Sequence, residues 1–237
     1  MNIKSHVPNA ITLLNLFSGC IALLFAFEQN YLFAFYFVAL GIFFDFFDGF
    51  FARLFKVSGE LGKQLDSLAD MVTSGVVPGL VMFMMMTNSS GADADGYIRY
   101  FPYLGFIITL GSCYRLAKFN IDTRQTNSFI GLPTPANALF ILSLPIVLQS
   151  SDSLIILEML TDRWVLLGIS LFSAYILNAE IPLFSLKIKN FTFKENAIQI
   201  IFLLLSIVLL IAFQQMGIPL VIVLYVLLSA IYNRFKK

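Results

Sequence analysis

The sequence predicts an all-α integral membrane protein, a polytopic bundle of about eight transmembrane helices. Three observations carry that prediction. Of 237 residues, 59% are hydrophobic and only 12% are charged, against roughly 25% charged in a soluble domain. The mean hydropathy is +0.85, more apolar surface than a water-soluble fold of this length can hide. Eight segments approach the ~20 apolar residues that a helix needs to cross the hydrocarbon core, and the basic residues fall almost entirely on one side of them.

The first span is expected over 9–27. It lacks the basic leader, short apolar run and small-residue cleavage site of a secretory signal, so a retained helix is expected. Its polar residues Asn9, Thr12 and Asn15 recur every third position and share one face near its start. The second and third spans, 31–52 and 62–86, are joined by the short connection Leu54–Leu61, which makes them antiparallel neighbours. The fourth, fifth and sixth are expected over 98–118, 133–150 and 163–179, the last two being short. The final pair, 197–214 and 217–234, is separated by a tight turn near Gln215–Gly217, with Pro219 at the following helix start. Thr87–Gly96 and Asn178–Asn196 read as loops, the second with room for an interfacial strand or helix. No soluble domain or internal repeat is evident, so 1–237 is read as a single membrane domain.

Orientation follows from the basic residues. Lys4, Arg53, Lys56, Lys63, Arg115, Lys118, Arg124, Lys187, Lys189, Lys194, Arg234, Lys236 and Lys237 fall on one side, and only Arg99 and Arg163 on the other. Both termini are therefore expected on the cytoplasmic face of the inner membrane. Trp164, Tyr97, Tyr100 and Tyr103 sit where outer-interface aromatic anchors belong, and Met82, Met84, Met85 and Met86 read as lipid-facing or packing filler.

Charge and residue inventory exclude several function classes. A balance of 15 basic against 14 acidic residues argues against nucleic-acid binding. One histidine, His6, rules out a histidine-based metal site or catalytic triad. Cys20 and Cys113 lie inside apolar runs and are read as small buried hydrophobes, not as a disulfide or a zinc site.

Four aspartates stand out, because an ionisable group at the centre of a membrane helix costs about 2.5–3.5 kcal/mol on insertion scales. At 100° per residue, Asp45, Asp48, Gly49 and Ala52 lie within one arc of the second helix. Asp66 and Asp70, four residues apart, share a face of the third with Gly62. Two carboxylate pairs should thus face each other across the antiparallel helices. Their mutual repulsion demands neutralisation, and all-oxygen ligands favour magnesium, manganese or calcium over zinc. Two ions would lie ~3.5–4 Å apart. Gly49, Ala52 and Gly62 leave room for a phosphate or nucleotide to approach the backbone.

Asp45-Phe-Phe-Asp48-Gly49-Phe-Phe-Ala52-Arg53, followed by Gly62-Lys-Gln-Leu-Asp66-Ser-Leu-Ala-Asp70, resembles the signature of the CDP-alcohol phosphotransferases at every defined position. The resemblance implies a six-helix core, here 1–180, with 181–237 adding a loop and two further helices. It also implies Mg2+ or Mn2+ (Ca2+ as a crystallographic substitute), with two ions per site held by Asp45, Asp48, Asp66 and Asp70. Asp70 would be the general base. Gly49, Ala52, Arg53 and Gly62 would contact nucleotide and pyrophosphate, joined by Asn9, Thr12 and Asn15. Family relatives tend to be homodimers.

Four blocks resemble the serine-using prokaryotic branch of that family. They are Pro8-Asn-Ala-Ile-Thr-Leu-Leu-Asn-Leu-Phe-Ser-Gly19, Asp66 through Pro78, Arg115-Leu-Ala-Lys-Phe-Asn120 and Phe129-Ile-Gly-Leu-Pro-Thr-Pro135. This implies CDP-diacylglycerol as donor and L-serine as acceptor, with Arg115, Lys118 and Asn120 as acceptor-binding candidates. The chain departs from the branch at Thr73-Ser74-Gly75, where an aromatic residue commonly precedes the glycine, and at Lys118, where arginine is commoner. Glycerol 3-phosphate or inositol phosphate acceptors are alternatives within the same chemistry. From a different class, a cation transporter could use the four acids as its ion site.

Overall fold

The computed structural model describes residues 3–57, 59–89, 96–122, 129–184 and 196–235. Arg124, Lys187, Lys189, Lys194, Lys236 and Lys237 of the orientation argument lie outside them, as does the Tyr97 side chain.

Each expected span is helical, although the first half of 98–118 is a 3-10 segment and only its second half an α-helix. Helix α1 (Ile3–Phe27) and α2 (Tyr31–Phe55) form a hairpin through the turn at Gln29, whose φ is 59°. Asn30 caps α2 by accepting from the Phe33 N–H. Fully buried Ala22, Ala26, Ala34 and Val38 line the contact between these helices, since small side chains let membrane helices approach closely where no hydrophobic drive exists between them. Helix α2 stops at Lys56, in the left-handed conformation (φ 54°), whose N–H returns to the Ala52 and Arg53 carbonyls.

The third rod runs from Glu60 to Thr87 but is not uniform. Helix α3 (Glu60–Asp70) passes through a π-helical turn, Met71–Val76, into α4 (Val77–Thr87). A 3-10 segment, Gly96–Phe106, leads into α5 (Ile107–Ile121). Helix α6 spans Thr134–Ser150, a short α7 spans Leu154–Thr161, and α8 spans Arg163–Asn178. Residues Phe129–Ile130 (β1) and Pro182–Leu183 (β2) pair antiparallel, so the 178–196 connection does carry a short strand. Helices α9 (Ala197–Phe213) and α10 (Gly217–Phe235) are joined by the 3-10 turn Gln214–Met216. The rings of Phe202 and Tyr225 lie 5.5 Å apart, so α10 folds back on α9.

Segments 6–27, 31–55, 60–87 and 197–232 are long and apolar enough to cross a membrane, and 134–150 and 163–178 are shorter apolar helices. The core gathers Val77, Val81, Met82, Met86, Ile108, Ile141, Leu142 and Leu166. The methionines therefore fill the interior. Trp164, Tyr100 and Tyr103 are largely exposed, as interfacial anchors require. One expectation is corrected: Cys20 and Cys113 are free thiols on the exterior of the bundle. In a membrane protein the exterior is apolar too, so an apolar run does not distinguish inside from outside.

Candidate active site

Helices α2 and α3 bring the acids together at the end of the bundle where α2 stops and α3 starts. One carboxylate oxygen each from Asp45, Asp48 and Asp66 lies within 4.8 Å of the others. Two full charges at that spacing repel by about 3.5 kcal/mol at an effective dielectric near 20. Oδ1 of Asp66 is buried and receives no hydrogen bond. A closely spaced, all-oxygen set with one donor-starved buried oxygen fits a hard divalent cation. Asp70 lies one turn further along α3, 8% exposed, and accepts from Asn15 Nδ2 at 3.1 Å.

These acids edge a cleft of about 410 Å3, whose walls include Asp45, Asp48, Asp66, Asp70, Arg53, Arg115, Phe119 and the Pro133–Pro135 turn. A second lobe of about 230 Å3 is lined by Asn9, Thr12, Ala52, Gly62 and Lys63. Asp48, Gly49, Arg53 and Asp66 border both lobes. A Cβ at Gly49 would lie 3.4 Å from the Arg53 guanidinium, and one at Gly62 would lie 3.4 Å from Asn9 Oδ1. The small residues thus keep the space between α1, α2 and α3 open.

Helix α1 supplies polar support. Thr12 Oγ1 donates to Asp48 Oδ2 at 2.6 Å and lies 3.1 Å from the Pro8 carbonyl. Asn15 is fully buried and borders neither lobe; its partners are Asp70 and Thr73. Thr73, which the motif marks only as a departure, is here the partner of the Asn15 amide. Its signal is a hydroxyl three residues beyond Asp70, on the same helical face.

On the opposite wall, Arg115 is 4% exposed and donates to the Ile130 and Gly131 carbonyls. It lines the cleft while clamping the turn before α6. Gly131 has φ 77°, and a Cβ there would meet the Leu177 carbonyl at 2.5 Å, so glycine is required. Its N–H donates to Ile181 O at 2.9 Å. Lys118 pairs with Glu180 at 3.4 Å, away from the lining. Asn120 acts at one remove: its Nδ2 donates to Ser67 Oγ at 2.8 Å, and Ser67 borders the cleft. Lys63 donates to the Asn120 backbone carbonyl, tying α3 to the end of α5.

Residues 5–176 match the family model described as CDP-alcohol phosphatidyltransferase. The chain belongs to this family of membrane transferases. The match reaches into α8, leaving α9 and α10 beyond it. Among curated proteins, the chain is similar to the CDP-diacylglycerol–serine O-phosphatidyltransferase of Bacillus subtilis, 33% identical over 135 residues, covering 55% of this chain and 70% of that protein. Proteins of the same name from Helicobacter pylori (32% over 136 residues, 56% of this chain and 54% of theirs) and Saccharomyces cerevisiae (34% over 157 residues, 59% and 53%) are also similar. The chain thus spans about half the length of the latter two.

Proposed function

We propose that this protein transfers the phosphatidyl group of CDP-diacylglycerol to the hydroxyl of L-serine, giving phosphatidylserine and CMP. The observation that carries the reading is the convergence of Asp45, Asp48 and Asp66 within 4.8 Å on the border between two lobes, with Asp70 lining the larger one. The smaller lobe, floored by Ala52 and Gly62 and reached by Asn9, Lys63 and Arg53, suits the cytidine end of the donor. The larger lobe, walled by Arg115 and Thr134, suits the acceptor. The pyrophosphate would then lie over the shared wall.

Bound divalent ions, Mg2+ or Mn2+ and two by family analogy, would neutralise the pyrophosphate oxygens and stabilise the charge that builds on the leaving phosphate. Asp45, Asp48 and Asp66 would hold the ions, with Asp70 beside them. Asp70 takes the proton of the serine hydroxyl as its oxygen attacks the phosphorus bearing the diacylglycerol, and CMP departs with the bridging oxygen. Arg53 pairs with phosphate oxygens. Arg115 keeps its fork on the 130–131 carbonyls and presents its charge to the serine carboxylate. Position and charge neutralisation, more than covalent chemistry, do the work in phosphoryl transfer.

Serine is favoured over a phosphorylated acceptor because, among the described residues, the larger lobe offers only Arg53 and Arg115 as basic lining. An acceptor with its own phosphate calls for a denser cationic pocket. The site would face the cytoplasm from the inner membrane of a homodimer, with 1–180 as catalytic core. The test is CMP release by purified protein in detergent with Mn2+ or Mg2+. Release should require L-serine; equal release with glycerol 3-phosphate or inositol phosphate in its place would overturn the acceptor assignment.

A further inference from the structure

Asn15 shares a helix face with Asn9 and Thr12 but leaves them to turn inward. Its amide joins two groups from the α3 rod, Asp70 and Thr73, and all three lie more than nine-tenths buried. We propose that Asn15 and Thr73 are positioning residues for Asp70: Thr73 fixes the Asn15 amide, and the amide fixes the carboxylate at the cleft. This rests on the reading of Asp70 as the base.

The polarity of the chain of bonds is determined by its donors. Thr73 Oγ1 donates to Asn15 Oδ1 at 2.9 Å and lies 3.2 Å from the Asn15 carbonyl. With Oδ1 so occupied, Nδ2 is turned to Asp70 Oδ1 at 3.1 Å. The flipped amide would set its oxygen against the carboxylate and lose the bond to Asp70, whereas the Thr73 hydroxyl, which has another acceptor in the Asn15 carbonyl, would lose nothing. Thr73 is β-branched and therefore stiff about χ1, a good anchor for such an orientation.

Backbone geometry is built around the pair. The π turn Met71–Val76 begins directly after Asp70, and a π turn inserts an extra residue that re-aims the side chains within it. Two glycines admit Thr73. A Cβ at Gly41 would lie 2.7 Å from Thr73 Cγ2 and 2.8 Å from Asn15 Oδ1, and one at Gly19 would lie 3.1 Å from Thr73 Cα. Helices α1 and α2 and the π turn thus converge on one polar pair whose outer bond ends at a cleft carboxylate. Interhelical adhesion alone would need no carboxylate partner.

The test uses full-length protein in detergent, with kcat and serine KM from CMP release, Kd for CDP-diacylglycerol, and Tm. Asn15→Leu and the near-isosteric Thr73→Val should lower kcat about 10–100-fold, the effect of losing a hydrogen bond to a charged group. Donor Kd should hardly move and any fall in Tm should not track the fall in kcat, and Thr73→Ser, which keeps the donor, should recover most of the rate. If kcat stays within about twofold of wild type, or falls only in step with Tm and donor affinity, positioning is overturned. Asp70→Asn is assayed in parallel. An active Asp70→Asn enzyme removes the base role and this inference with it. An inactive one beside fast Asn15→Leu and Thr73→Val leaves the base role standing and overturns the inference alone.

Discussion

Thr12 of α1 donates to Asp48 of α2 across 2.6 Å, so the first helix holds one acid of the cluster in place. An acid anchored this way keeps its other lone pairs aimed without further loss of rotamer freedom. Thr12→Val should therefore raise the Mn2+ concentration for half-maximal CMP release about 10–100-fold, in line with loss of outer-sphere support, while Thr12→Ser stays near wild type. A metal activation curve for each variant checks it.

Removing the carboxylate proposed as the base should stop chemistry without unfolding the protein. Asp70→Asn is expected to lower kcat by about 10²–10⁴-fold, the usual contribution of a positioned general base, with CDP-diacylglycerol still bound. Single-turnover CMP release and a donor-binding isotherm measure the two quantities separately.

Metal should register in stability as well as in rate. Saturating Mn2+ at about 100 times its Kd stabilises the folded state by about 2.7 kcal/mol if it binds only that state. Chelation with EDTA should lower Tm and abolish CMP release, and added Mg2+ or Mn2+ should restore both. Asp66→Asn, which alters the carboxylate that carries the donor-starved oxygen, should flatten the metal-dependent Tm shift. An undiminished shift in that variant would remove Asp66 from the ligand set.

Two glycines of the bundle should respond oppositely to one methyl group. Gly41→Ala pushes a Cβ into Thr73 and Asn15 and should destabilise by about 1–3 kcal/mol through overpacking. Gly168 on α8 has nothing within 4 Å of its built Cβ, so Gly168→Ala should be neutral or stabilise by about 0.5–1 kcal/mol. Thermal unfolding in one detergent compares them directly.

Much of this architecture was legible in the residues themselves. Long apolar runs must become helices in lipid, where every backbone group needs an internal partner, so the rods could be placed from hydropathy. The acids could be placed too, because i,i+3 and i,i+4 spacing fixes a face whatever surrounds it. The π turn at Met71–Val76 carries no such signature. It depends on how closely Gly19 and Gly41 let α1 and α2 approach Thr73, a tertiary matter. The inward turn of Asn15 is hidden for the same reason: period alone groups it with Asn9 and Thr12, and only the partner on another helix separates them. Helix α7, eight residues between two rods, falls below the length at which periodicity is informative.

The C-terminal hairpin bears on the larger lobe without lining it. Tyr225 of α10 donates to the Phe184 carbonyl at 2.9 Å, directly after β2, and β2 pairs with β1 ahead of the Gly131 turn that Arg115 grips. Mechanical slack introduced at Tyr225 would travel along that ribbon to the wall opposite the acids. Helices α9 and α10 are therefore expected to buttress that wall, and exchanging them between relatives should retune the acceptor KM while leaving the carboxylate cluster indifferent.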